Sequence, residues 1–89
     1  MKEITIDFRG CIPRSNLHKT FADALAFPDH YGNNLDALHD CLTEISEETR
    51  ICLINWNDAE EKLGRYASSA KCAILDAVLE NKNLTVIFD

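Results

Sequence analysis

Residues 51–56 read ICLINW, and the first four of them, Ile51-Cys52-Leu53-Ile54, are apolar at every position. A strand with one solvated face alternates apolar and polar side chains, whereas a strand of a parallel sheet reads as a continuous apolar run. The run is too short for an ordinary helix and carries β-branched residues at both ends. It predicts an interior parallel strand over Ile51–Trp56. Parallel strands need long crossover connections, so helical segments are expected on both sides.

Both sides supply them. Upstream, Ile4, Ile6 and Phe8 alternate with Thr5 and Asp7, a first strand that Gly10 and Pro13 end. Ser15 is placed to cap a helix with Leu17, Phe21 and Leu25 on one face, and Pro28 stops it. The loop DHYGNN (29–34) leads into a second helix, with Asn33 or Asn34 as its cap. Downstream, Asn57-Asp58-Ala59-Glu60 resembles a capping box that opens a short third helix ending near Gly64. Ser68 or Ser69 opens a fourth, with Ala70, Ile74, Ala77 and Val78 facing inward, and Leu84–Phe88 closes the chain as a third strand. The order predicts an α/β fold: a small three-stranded parallel sheet packed with about four helices, joined by right-handed crossovers in one two-layer domain over residues 1–89.

The 89 residues suffice for one modest core, and 46% of them are hydrophobic, the composition of a folded globule. No apolar run approaches the length of a membrane span. MKEITIDF carries charges through what would be the apolar centre of a signal peptide, so no export is expected. Cys11, Cys41, Cys52 and Cys72 are widely spaced and form no Cys-x-x-Cys pair. Without a secretion signal they read as reduced, partly buried thiols, and their spacing argues against a zinc site.

Net charge is −6, which disfavours nucleic acid and anionic lipid and favours basic partners. Between Lys19 and Arg50 there is no lysine or arginine, while Asp23, Asp29, Asp36, Asp40, Glu44, Glu47 and Glu48 all fall there. Within this stretch Leu35, Leu38, Leu42 and Ile45 make the apolar stripe of the second helix. Asp36, Asp40 and Glu44 fall nearly opposite, with His39 and Thr43 along the edge between. The helix dipole favours Asp36 in the first turn by about 0.3–1 kcal/mol, but Asp40 and Glu44 gain little. The three acids also repel one another by a few tenths of a kcal/mol per step. A merely solvated helix face carries charge in the same way, and spacing does not separate that reading from a binding surface.

Asp36, His39, Asp40 and His30 are also the residue types of an acid–base site. General catalysis needs a pocket and tuned ionisation, which an outer helix face does not offer. There is no glycine-rich phosphate loop, no nucleophile elbow and no His-x-x-x-His spacing. Paired carboxylates alone supply too few oxygens for Mg²⁺ or Ca²⁺. No cofactor, metal or catalytic residue is expected. Trp56, at the end of the buried strand, reads as core.

Pro28 to Leu42, PDHYGNNLDALHDCL, resembles the signature segment of the barstar family, intracellular inhibitors of barnase-type ribonucleases. Pro28, Tyr31, Gly32, Asn34, Leu35, Asp36, Ala37, Leu38, Asp40, Cys41 and Leu42 all stand where the family pattern has them. Leu17-His18, Trp56 and the closing LTVIF extend the resemblance, while the loop near SEETR departs from it. The resemblance implies a three-stranded parallel sheet with helices packed on it. It also implies a bacterial, cytoplasmic immunity protein, not an enzyme, that blocks a basic ribonuclease or nuclease toxin domain as a monomer in a 1:1 complex. The second helix and its preceding loop would plug the active site, with Asp40 in the phosphate-binding position and Asp36 beside it. Asn34 and Thr43 match positions lining the same surface, and Asp76 falls where the family has a glutamate. His39 stands in place of a tryptophan, His30 in place of an aromatic residue, and Glu44 and Ile45 in place of a glycine and a tryptophan. His30, His39 and Glu44 are therefore expected to give the contact surface a chemistry of its own. Two other classes stay open: an acidic module binding a basic partner that is not a nuclease, and a small Asp/His enzyme.

Overall fold

The computed structural model describes residues 1–10 and 14–89, without the side chains of Arg14 and Ser15. The elements run β1 (Lys2–Asp7), α1 (Arg14–Leu25), α2 (Leu35–Thr43), β2 (Thr49–Ile54), α3 (Trp56–Leu63), α4 (Arg65–Glu80) and β3 (Leu84–Phe88). The strands lie in the order β1-β2-β3, all parallel, so the expected α/β architecture is present, with three strands and four helices among the described residues. Register places Ile4 opposite Ile51 and Ile51 opposite Val86, and Ile6 opposite Leu53 and Leu53 opposite Phe88.

Both crossovers step in the same direction across the sheet, and right-handed connections then put their helices on the same face. Burial follows. Ile6, Phe8, Ile51, Leu53 and Leu84 are buried on the helix side, while Glu3, Thr5, Asp7, Arg50, Thr85 and Ile87 on the other side are exposed. Cys52 and Ile54 are half-buried, so the expectation that Ile51–Ile54 is buried on both faces is corrected. A strand order that steps only one way brings no crossover helix to the second face.

The core joins this inner face to Leu17 and Phe21 of α1, Leu38 and Leu42 of α2, and Ala67, Ala70, Ile74 and Ala77 of α4. The alanines let α4 approach closely, and α2 packs beside it. Val78 is half-buried against the same cluster. Trp56 is buried, with its ring centroid 5.0 Å from Phe8 and 5.2 Å from Phe88, both edge-on.

Three helix starts differ from expectation. Helix α1 begins at Arg14, so Ser15 is inside it; Ser15's side chain, Pro13 and Cys11 lie outside the described residues. Helix α3 begins at Trp56, ahead of the supposed capping box, because the chain turns at Asn55 in the left-handed region with φ 58°. The Asn55 side chain does not cap. It donates instead to Asp7 Oδ1 at 2.7 Å, tying the ends of β2 and β1. Helix α4 begins at Arg65, and Ser68 and Ser69 are exposed within its first turns. Gly64, at φ 54°, is both the end of α3 and the cap of α4, so one residue that tolerates positive φ replaces a linker. Cys41 and Cys52 are half-buried free thiols, and Cys72 is an exposed one.

Candidate functional site

The loop before α2 is fixed from both ends. Tyr31 N–H donates to Pro28 O at 2.9 Å, and the Tyr31 ring packs on Phe27 with centroids 4.9 Å apart. Asn34 Oδ1 accepts from Ala37 N at 2.8 Å, the N-cap bond, while its Nδ2 donates back to Gly32 O at 3.2 Å. A Cβ at Gly32 would lie 3.0 Å from that nitrogen, so glycine permits the close approach. Asn34 is exposed, but its amide is committed to shaping the helix start. Asn34→Ala is expected to cost about 1 kcal/mol in chemical denaturation.

Beneath the loop, His18 of α1 is 1% exposed and joins two tyrosines. Its Nδ1 lies 2.6 Å from Tyr31 Oη and its Nε2 2.6 Å from Tyr66 Oη. A neutral imidazole has one donor and one acceptor, so one hydroxyl accepts from the ring and the other donates to it. This chain of three side chains anchors the loop to α1 and α4. Burial lowers the His18 pKa below its ordinary 6.5. The unfolded chain therefore takes up this proton first. His18's contribution to stability is complete above about pH 6.5 and declines as pH falls toward the lowered folded value. The urea midpoint is expected to drop between about pH 7.5 and about pH 5, and less steeply in His18→Gln.

Helix α2 presents the expected two faces. Leu38 and Leu42 are buried, Leu35 is half-buried, and Ile45 is half-buried just beyond the helix. Asp36, Asp40 and Glu44 are exposed, with Glu44 at the C-cap position. His39 and Thr43 are half-buried at the edge, and Thr43 Oγ1 donates to the Asp40 carbonyl at 2.8 Å. His30 is exposed on the loop and lines a shallow groove with Tyr31, Gly32, Asp40, Cys41 and Glu44. Burial first, then the Glu44 and Asp40 carboxylates, push the Cys41 thiol up, which keeps it protonated and unreactive.

The other end of α2 is held by a residue the sequence reading passed over. Asn81, 7% exposed at the end of α4, donates from Nδ2 to Leu42 O and Ile45 O at 2.9 Å each and to Thr43 O at 3.4 Å. Its Oδ1 accepts from Asn83 N at 3.0 Å. One amide thus satisfies the carbonyls that a helix leaves open at its C-terminus. Its position just past the inward-facing run of α4 was the only available signal.

Helix α4 adds Glu80, which was also missed although it stands four residues after Asp76. His39 Nε2 lies 2.5 Å from Glu80 Oε2, and His39 Nδ1 lies 3.6 Å from Asp40 Oδ1. The ring thus lies against Glu80 and, more distantly, Asp40. The hydrogen bond with Glu80 raises the His39 pKa above 6.5, against desolvation and with help from Asp40. Asp76 is exposed one turn before Glu80 and makes no ion pair among the described residues. Among the described residues, no lysine or arginine is ion-paired with Asp36, Asp40, Asp76 or Glu80. Nor is any group of three or more His, Cys, Asp and Glu arranged there to hold a metal ion. No described helix is long and apolar enough to cross a membrane.

A one-sided parallel sheet, backed by helices that carry exposed carboxylates, defines a small acidic α/β protein. Comparison with known proteins places it further. A family model described as "Barstar (barnase inhibitor)" matches residues 1–87, and the chain belongs to the Barstar family. It is also similar to the Bacillus subtilis (strain 168) protein named "Putative ribonuclease inhibitor YrdF", at 39% identity over 84 residues, 93% of this chain and 92% of that protein.

Proposed function

We propose that the chain is a protein inhibitor of a basic, barnase-type ribonuclease or nuclease toxin domain, and acts by plugging its active site. Helix α2 and the loop before it form the plug, and α4 adds carboxylates at its side. The observation that carries this reading is Asp40, whose side chain is 78% exposed on a loop-and-helix unit held at both ends, with no lysine or arginine partner among the described residues. A ribonuclease binds RNA phosphates with cationic groups, and carboxylates exposed along a helix suit the same groups. Asp40 takes the phosphate position, Asp36 stands beside it, and Asp76, exposed on α4, adds a further carboxylate. Thr43, Asn34, His30, His39 and Glu44 complete the contact.

Energetics favour this use of bare charge. An exposed ion pair is worth about 0–1 kcal/mol. Truncating one partner of a desolvated, hydrogen-bonded charge pair across an interface costs roughly 2–5 kcal/mol or more, a range that already includes barnase–barstar, the namesake pair of this family. The stretch without lysine or arginine between Lys19 and Arg50 also creates a field that speeds encounter with a cationic surface. In this reading the protein works in the cytoplasm as an immunity protein, a monomer forming a 1:1 complex and catalysing nothing.

The test is titration of a barnase-type ribonuclease, and of any basic nuclease encoded beside this gene, with the purified chain. The reading expects a stoichiometric end point at low salt and weaker inhibition as salt rises. Full ribonuclease activity at excess inhibitor would leave the basic partner to be sought outside the nucleases.

A further inference from the structure

His39 occupies the seam between α2 and α4. On its own helix it faces Asp40 at 3.6 Å, with Asp36 one turn earlier; on α4 it faces Glu80 at 2.5 Å, with Asp76 one turn earlier. His30, on the loop, lines the groove on which Asp40 also opens. The His39 side chain is 27% exposed, against 78% for Asp40 and 60% for Glu80, so the ring sits below the two carboxylates it joins. A protonated ring in this place is an internal cation for two groups that would otherwise be free to meet a partner's cations.

We propose that His39 makes this surface's affinity for a basic nuclease depend on pH, holding Asp40 and Glu80 while protonated and releasing them to the partner when the proton leaves. The inference rests on the plug reading above and gives it a regulation. A guanidinium or ammonium that pairs with Asp40 or Glu80 takes away the negative charge that favours the imidazolium, and repels that imidazolium as well. Binding therefore expels the proton. By linkage, affinity rises with pH across the interval between the His39 pKa in the complex and the higher one in the free protein. One proton allows at most about a tenfold gain per pH unit.

The test measures the inhibition constant for a barnase-type ribonuclease from about pH 5.5 to about pH 8.5, using wild type, His39→Gln and His30→Gln. Glutamine keeps a hydrogen-bond donor toward Glu80 and does not titrate. The nuclease's own titrations are common to all three chains and cancel in the comparison. The proposal expects the wild type and His30→Gln to tighten as pH rises, and His39→Gln to do so markedly less. In the free protein, Glu80→Gln is expected to lower the His39 titration midpoint seen by NMR. Equal pH slopes in wild type and His39→Gln, or a slope lost in His30→Gln instead, would overturn the proposal and leave the plug reading standing. Absence of binding by any chain at every pH would overturn both.

Discussion

Asp40→Ala is expected to weaken inhibition of a barnase-type ribonuclease by roughly 2–5 kcal/mol, about thirtyfold to several thousandfold in the inhibition constant. The magnitude comes from desolvation. In the free protein the carboxylate is hydrated and, at 3.6 Å from the nearest imidazole nitrogen, only weakly held. In the complex it would lie against buried cations, and its removal would strand them. Stability should scarcely move or should rise by a few tenths of a kcal/mol, since Asp36 and Glu44 lose a like-charged neighbour at four residues' spacing. Glu61→Ala, at an exposed position of α3, provides the control for loss of one negative charge. Its effect should be small and should vanish with added salt. Equal losses in the two variants would reduce Asp40 to a contributor to the general field.

The largest effect on folding is expected from Asn81→Leu, a loss of roughly 2–4 kcal/mol in urea denaturation. Leucine fills the space but leaves the carbonyls of Leu42 and Ile45 facing a hydrocarbon, and an unsatisfied buried acceptor costs about 1–3 kcal/mol. Asn81→Asp should be at least as damaging. It keeps an acceptor for Asn83 N but turns a carboxylate toward three carbonyl oxygens. A consequence for binding follows. The C-terminal turn of α2 carries Thr43 and Glu44, so affinity should fall in Asn81→Leu even where the chain remains folded. A near-neutral Asn81→Leu would mean that the end of α2 is held by packing alone.

The parts of the fold that were legible are those written in periodicity. Leu84–Phe88 matches β3 at both ends, and the Leu35–Leu38–Leu42 stripe matches the buried side of α2. The Asn34 cap was legible because its side chain acts three residues away, within the local sequence. The starts of α3 and α4 were not, because they depend on left-handed backbone at Asn55 and Gly64 rather than on a capping side chain. The open outer face of the sheet was hidden for another reason. Cys52 and Ile54 are apolar yet half-buried, and the direction in which the crossovers step is invisible in a strand's composition.

The site divides in the same way. The carboxylates of α2 were legible because three of them share one helix face. What tertiary structure adds is pairing across elements. His39 meets Glu80 at a separation of 41 residues, and His18 meets Tyr66 at 48. His18 lies three residues before Phe21 on α1, so its burial had a signal, but its two hydroxyl partners did not. These contacts also set opposite pH limits. His18 contributes less stability as pH falls below about 6.5, whereas the raised His39 contributes less as pH rises through its folded value.

The central claim is that α2 occupies the place where a nuclease holds phosphate. Its most direct measurement is competition: the affinity of this chain for a barnase-type ribonuclease, at fixed pH and salt, with increasing concentrations of a mononucleotide bound in the nuclease active site. The account predicts mutually exclusive binding, with the apparent dissociation constant rising in proportion to nucleotide once the nucleotide saturates its site. An apparent constant unchanged by saturating nucleotide would mean that both fit at once, and would contradict the plug.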